Sequence, residues 1–523
     1  MAETESATQS RRWQVLLVAL MAAGVIAAFL PALDVYFVGD DFEWLDAAFE
    51  IPRDPLSSFE LFNNMWRPVV KWSFLFDYLI FGRNSVGYSA TNLLIHFLNV
   101  GLLYLLISRL VDFRLFAPVA AAGFALSPLH SEAVLWASSR GDTILLTCWL
   151  GAILVLVVRA KEMVWFHSAT VLIIVLIGVG TKESWVVFPF ISTAFLVIVL
   201  RNPLWAAIGQ MRWLWLALFL YLGVFLVLPA LSGAPTAAFY ADFGPRHALA
   251  KYCRLILTFC GMGELGLGEL TTIGFASLVA VAAVAIAVRQ ENRNALWSIL
   301  WTAATLVLAT PFQDVALRHN YLPLAGFWMT LAFLVDGFLS TGGATRGHNR
   351  QRVRTVLLAS SAAAVLVIEG LALQVEIDDY RRYGDLHREL VEMLVPIEPQ
   401  IPRDRVLLII NRGQRRAVEE AAASVAGINK SFFVRRDAIW QMVFLSPLAN
   451  FLGTPFVDML RAVPENEISS ALGGDVTTLV FTDKGFRLGS DIPDGLVKFI
   501  AVNGRLPETV GLYHYQSYRR SSK

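Results

Sequence analysis

About eleven runs of apolar residues, each near the length needed to cross a bilayer, recur along this 523-residue chain. They lie near 13–33, 88–108, 115–128, 142–158, 164–180, 185–200, 213–231, 271–288, 295–310, 321–339 and 355–374. Hydrocarbon offers no partner to a backbone N–H or C=O, so runs of this kind form helices that bond within themselves. The fold class is therefore an α-helical polytopic membrane protein. With 56% hydrophobic and 16% charged residues and a mean hydropathy of +0.57, the composition is not that of a soluble globular domain. A net charge of +1, with Lys and Arg scattered among short loops, gives no reason to expect a nucleic-acid partner. Cys148, Cys253 and Cys260 lie in or beside apolar runs without a CxxC spacing, so they do not report a redox compartment. Arg11 and Arg12 precede a first run that is longer than a signal core and lacks a small-residue cleavage site, so it reads as a retained helix.

The basic residues orient the chain. Arg109 and Arg114, Arg159 and Lys161, Arg201 and Arg212, Arg289 and Arg293, and the run Arg346, Arg350, Arg352 and Arg354 mark alternate loops as cytoplasmic. The N-terminus is then inside. The loops 34–87, 128–141, 181–184, 232–270 and 311–320, and everything beyond the last run, are outside.

The unusual polar residues fall almost entirely on that external side. Asp40 and Asp41 follow the first helix. His130, Glu132, Arg140 and Asp142 belong to the second external loop and its helix start, Lys182 and Glu183 to the third, and Asp314, Arg318 and His319 to the fifth. Charges at a membrane boundary are costly to desolvate, and a cluster of both signs suits a charged, membrane-tethered substrate. Structural readings stand beside each of these. Asp40 and Asp41 fit a helix N-cap, His130 and Glu132 fit a helix end after Pro128, Lys182-Glu183 fits a plain loop ion pair, and His96 fits a packed core histidine. Zinc-type His/Cys spacing is absent, and Asp40-Asp41 alone is a slender basis for a divalent cation.

Several stretches resemble a known family. Trp66-Arg67-Pro68-Val69-Val70-Lys71, followed by Phe76-Asp77-Tyr78 and by Gly87 through His96, is similar to the first-loop and second-helix signature of GT-C glycosyltransferases with a large first loop. Ser127-Pro128-Leu129-His130-Ser131-Glu132 through Arg140-Gly141-Asp142 resembles the most recognisable motif of the transmembrane protein O-mannosyltransferases that carry TPR repeats. Thr181-Lys182-Glu183-Ser184 and Arg318-His319-Asn320-Tyr321 resemble further blocks in the same order. The resemblance covers roughly residues 34–330; the remainder shows no TPR period. It implies an inverting transfer of a sugar from a polyprenyl-phosphate donor to an acceptor hydroxyl on a protein, lipid or glycan. It also implies an acid of the first external loop, Asp40 or Asp41, as base. Donor phosphate and substrate would be held by a set drawn from His130, Glu132, Arg140, Asp142, Lys182, Glu183, Arg318, His319 and Tyr321. Such chemistry needs a carboxylate to take the acceptor proton and cations to hold the departing phosphate, and arginine suits the second task. The alternative from another class is a non-catalytic transporter or scaffold for a lipid-linked glycan. A transporter is expected to carry midplane charges and an internal repeat, neither of which the sequence shows.

Beyond the last run the composition changes. Residues 1–375 read as the transmembrane GT-C-like domain, 376–404 as a linker with Pro396, Pro399 and Pro402, and 405–523 as an external soluble α/β domain. In that domain Val406–Ile410 and Thr477–Thr482 read as strands and Arg415–Val425 as a helix. The chain is expected in a bacterial cytoplasmic membrane, among membrane lipids.

Overall fold

The computed structural model describes residues 16, 18–61, 65–111, 116–159, 165–223, 245–262, 267–308, 316–340, 348–394, 405–411, 460–462, 476–482, 485–489 and 510–515. In chain order the helices are α1 (Val18–Asp34), α2 (Asp41–Glu50), α3 (Pro68–Phe81), α4 (Ser85–Leu110), α5 (Phe116–Leu126), α6 (Ser131–Leu135), α7 (Arg140–Arg159) and α8 (Trp165–Val179). They continue with α9 (Phe188–Ala194), α10 (Leu204–Gln210), α11 (Arg212–Leu222), α12 (Pro245–Phe259), α13 (Glu269–Arg289), α14 (Arg293–Val307), α15 (Tyr321–Ser340) and α16 (His348–Leu394). Described helix lies beneath each of the apolar runs. Among the described residues, Ser85–Leu110, Ala137–Val158, Glu269–Arg289, Leu317–Ser340 and Val356–Asp385 are each long and apolar enough to cross a membrane, and four shorter apolar helices accompany these five. The chain is thus a predominantly helical membrane protein.

Two compact units divide the chain. The first comprises Met1–Leu33, Phe59–Val70 and Ser89–Ile377. In it α14 packs along α15, α7 along α8 and α12 along α13. Lipid tails are as apolar as leucine, so close backbone approach and side-chain bonds, rather than burial, hold such helices together. Gly326 supplies the approach: a Cβ there would stand 2.5 Å from Trp301 Cδ1 and 2.9 Å from the Thr302 backbone nitrogen. Thr330 on α15 donates to Ser298 on α14 at 2.9 Å. Trp149, Trp297 and Trp301 are buried in this unit, with Trp149 and Trp297 each edge-to-face with Trp301.

The second unit comprises Asp34–Ser58, Lys71–Tyr88 and Asp378–Lys523. Its strands β1 (Arg405–Asn411), β2 (Leu460–Ala462), β3 (Val476–Thr482), β4 (Gly485–Gly489) and β5 (Val510–Tyr515) form one sheet in the order β2-β5-β1-β3-β4. β1 is parallel to β3, with Val406 opposite Val476, and antiparallel to β5. Its unbroken Val-Leu-Leu-Ile-Ile run suits a strand flanked on both sides. Both expected strands are present. The expected helix Arg415–Val425 lies outside the described residues.

The stretch 376–404, which reads as a linker, begins as helix instead: α16 runs unbroken to Leu394. Its charges are spaced to support helix, with Asp378–Arg381, Asp379–Arg382 and Asp385–Arg388 each paired three residues apart.

Candidate active site

Ser127-Pro128 ends α5. Proline has no N–H, so the carbonyl of Phe124 loses the donor that a continuing helix would supply four residues on. His130 fills the gap, its Nε2–H donating to Phe124 O at 2.5 Å. His96, from the middle of α4, does the same for the next carbonyl, donating from Nε2 to Ala125 O at 3.3 Å. Carbonyls only accept, so both rings carry their proton on Nε2. His130 is fully buried, and burial pushes its imidazole down to about 4 against the weaker pull of its backbone hydrogen bonds. It is a neutral cap on α5.

Beside this cap the segments Pro128–Leu135 and Leu317–Asn320 meet. Glu132, 2% exposed, accepts from the Arg318 guanidinium and from the Arg318 backbone N–H, the latter at 3.2 Å. That guanidinium also stands over the Trp136 ring, 5.2 Å from its centroid. Asn320 donates to Leu129 O at 3.0 Å, fastening the same two loops one turn away. The third loop joins at Gly141. A Cβ there would lie 3.3 Å from Thr181 O, so the small residue lets Thr181-Lys182 pass, and the next residue, Asp142, takes the Lys182 ammonium at 2.5 Å. Both partners are buried. Burial presses Lys182 below its ordinary range, Asp142 opposes this, and the charges of Arg67 and Arg318 add to it.

Arg67 completes the cluster through a forked bridge to Glu183, with Nε at 3.1 Å and Nη2 at 2.7 Å. Burial alone would raise the Glu183 carboxyl; the charge and hydrogen bonds of Arg67 together overcome it and hold the group below the usual range. Val69 N–H, two residues on, bonds to Gly180 O at 2.9 Å and fixes the register of these segments. Arg140 is fully buried at the start of α7. Lys251 on α12 lies within electrostatic range of His319.

The structure therefore brings His130, Glu132, Arg140, Asp142, Lys182, Glu183, Arg318, His319 and Tyr321 to one end of the first unit. Two of them also make structural bonds: Nε2 of His130 caps α5, as its helix-end reading expects, and the Tyr321 hydroxyl is taken up by His96 and Asn99. Arg67, Lys251 and Asn99 belong to the arrangement and were not singled out in the sequence. Arg67 stood in the Trp-Arg-Pro motif, and Asn99 is an amide in the middle of a span, which is itself a signal. Asp314 lies outside the described residues.

Buried ion pairs seldom repay their desolvation when a hydrophobic alternative exists. Two such pairs, Lys182–Asp142 and Arg318–Glu132, with the more exposed Arg67–Glu183 pair beside them at one end of the first unit, point to a use other than stability.

Asp40 and Asp41 belong to the second unit. Gly39 turns the chain with φ 52°, a conformation that favours glycine. α2 then starts at Asp41. Asp41 is 2% exposed, and its Oδ2 accepts from Val38 N–H at 2.9 Å. Asp40, the N-cap residue by position, makes no side-chain cap bond and is half-buried. Asp40 thus occupies the N-cap position without a cap bond, and the Asp41 carboxylate bonds the turn before the helix rather than the helix's own N–H groups. Nearby in the same unit, Asp34 meets Arg381 at 3.2 Å and Arg388 at 3.5 Å. Among the described residues no three His, Cys, Asp or Glu side chains group closely enough to hold a metal ion.

No protein-family model matches the chain. Over 92 residues it is 34% identical to Protein O-mannosyl-transferase Tmtc1 of Drosophila melanogaster, a match covering 18% of this chain and 11% of that protein. Among solved structures it is similar to ArnT from Cupriavidus metallidurans in the apo state, at 13% identity and a TM-score of 0.49 over 95% of this chain and 98% of that one. The same protein bound to undecaprenyl phosphate gives the same identity and score over 95% and 97%. By sequence, then, part of this chain is similar to a protein O-mannosyl-transferase, which agrees with the resemblance to membrane glycosyltransferases of the GT-C type carried by its motifs.

Proposed function

We propose that the chain is an inverting GT-C glycosyltransferase that moves a sugar from a polyprenyl-phosphate donor to an acceptor hydroxyl on the external face of a membrane. The observation that supports this best is the meeting of four loop segments in a cluster of ion pairs built from the motif residues Arg67, Glu132, Asp142, Lys182, Glu183 and Arg318. The partial likeness to a protein O-mannosyl-transferase supports the sugar-transfer reading.

In this reading an aspartate carboxylate takes the proton of the acceptor hydroxyl as its oxygen attacks the anomeric carbon. The bond from that carbon to the phosphate oxygen breaks, and the phosphate departs as a monoester with one more negative charge than it held in the donor. Arg318, beside Trp136, and Lys182 hold that charge as it develops. Asp40 is the base. The Asp41 carboxylate is buried and committed to Val38 N–H, which fixes the turn that presents its neighbour. Acceptor identity, sugar and carrier length belong to what the assay must find.

The test is transfer from a panel of radiolabelled polyprenyl-phosphate sugars into an envelope extract by purified, detergent-solubilised protein. Asp40→Asn is expected to lose about 100-fold or more in turnover with an unchanged melting temperature, the usual scale for removing a general base. Asp41→Asn is expected to lower the melting temperature first. Folded wild type that transfers from no donor overturns the reading, and equal turnover in Asp40→Asn overturns the choice of base.

A further inference from the structure

Beneath the ion pairs lies a hydrogen-bond hub that the transfer chemistry does not use. Asn99, midway along α4, is fully buried. Its Nδ2 donates to Tyr321 Oη at 3.1 Å and to Thr143 O at 2.8 Å, and its Oδ1 accepts from Thr147 Oγ1 at 2.7 Å. With Asn99 as its donor and Nε2 of His96 committed to Ala125 O, the Tyr321 hydroxyl donates in turn to His96 Nδ1 at 2.8 Å. Proton directions along the chain are thus fixed, from the Asn99 amide through Tyr321 and His96 to the end of α5.

Two arms of the hub end at helix starts that lie beside a cation. Tyr321 is the first residue of α15 and directly follows the 3-10 turn Leu317–Asn320 that carries Arg318. Thr143 is in the first turn of α7, and its Oγ1 donates to the carbonyl of Arg140 at 2.9 Å. One amide therefore holds both helix starts at a set separation. A buried amide in a membrane span costs several kcal/mol if left unbonded, and double-mutant cycles give interhelical bonds of this kind only about 0.6 kcal/mol on average. Stability alone is a poor return for placing one there.

We propose that Asn99 is a positioning residue. By tying Tyr321 to Thr143 it sets the spacing of Arg318 and Arg140, and through that spacing the affinity for the phosphate of a prenyl-linked ligand. This rests on the transferase reading. Simple helix-to-helix adhesion is the competing account. It lowers the melting temperature of a variant and leaves the phosphate affinity of the folded protein where it was.

The experiment measures binding of farnesyl phosphate, with inorganic phosphate as control, to wild type, Asn99→Leu, Tyr321→Phe, Arg318→Ala and Asn99→Leu/Arg318→Ala, each with its melting temperature. Tyr321→Phe removes one hydroxyl and guards against a folding failure in Asn99→Leu. Expected is a loss of about tenfold in affinity for Asn99→Leu and for Tyr321→Phe, within the range of coupling between neighbouring residues, and no further loss when Asn99→Leu is added to Arg318→Ala. Wild-type affinity in both single variants while Arg318→Ala loses binding overturns the positioning role and leaves the transferase reading standing. Additive losses in the double variant overturn it too. A folded wild type that binds no farnesyl phosphate removes both.

Discussion

Glu132 and Arg318 lie 186 residues apart in sequence and pair directly in the cluster. Removing one partner of such a pair strands the other, at a cost of about 3 kcal/mol or more, whereas removing both together costs less than the sum. Glu132→Ala is expected to destabilise strongly, and Glu132→Gln/Arg318→Gln to recover part of that loss, as read from detergent denaturation curves in a double-mutant cycle. Loop charge and span counting predict one side of the membrane for both residues. They do not pair the two, since nothing local tells Arg318 to choose Glu132 over Asp142. The two aspartates divide for a similar reason. Asp40 and Asp41 are alike as text, and only the backbone turn at Gly39 decides which carboxylate folds back on Val38. His130 makes a pH prediction. Its folded value of about 4 lies below the ordinary 6.5, so as pH falls from about 6.5 the unfolded chain gains a proton that the folded one refuses. The stability contribution is present above about 6.5 and lost as pH falls through about 4, a change of about 3 kcal/mol. His130→Gln, whose amide still reaches a carbonyl, is expected to flatten that part of the stability–pH curve relative to wild type, where His387, also held to about 4 by burial, continues to contribute.

At the scale of elements, the apolar runs were legible because hydrocarbon permits few alternatives, while the extension of α16 was not. A stretch rich in Glu, Asp and Arg reads as solvent-exposed linker until the spacing of its charges is counted, and three Asp–Arg pairs at i,i+3 convert it into helix. The fit between helices was also silent in sequence. Gly326 and Gly101 look equivalent there, each a glycine inside a span. A methyl group at Gly326 meets the Trp301 ring and the Thr302 backbone, while at Gly101 nothing lies within 4 Å. Gly326→Ala is expected to cost about 1–3 kcal/mol by overpacking, and Gly101→Ala to be neutral or slightly stabilising through its better helix propensity. Melting temperatures of the two single variants in the same detergent check this.

For the whole molecule, the loop charges predict a sidedness that the buried cluster makes consequential, since the ion pairs and the proposed base are all placed externally by that rule. Single cysteines introduced at Glu291 and at Asp378 in a chain lacking Cys148, Cys253 and Cys260 distinguish the two faces. A membrane-impermeant maleimide applied to intact cells is expected to label position 378 and spare position 291; the reverse pattern would move the chemistry to the cytoplasmic side. The three pairs also say something about what such a site admits. Arg318, Lys182 and Arg67 already hold counterions of their own, in Glu132, Asp142 and Glu183. An arriving anion finds these cations engaged and must exchange for, or share, a carboxylate that is fixed in place and present at unit occupancy. Free phosphate brings only charge to that exchange. On the proposed reading, a phosphate on a long prenyl tail brings the additional free energy of its hydrocarbon dissolved in the surrounding lipid, so the resting ion pairs are expected to favour anions arriving from the membrane over those arriving from water.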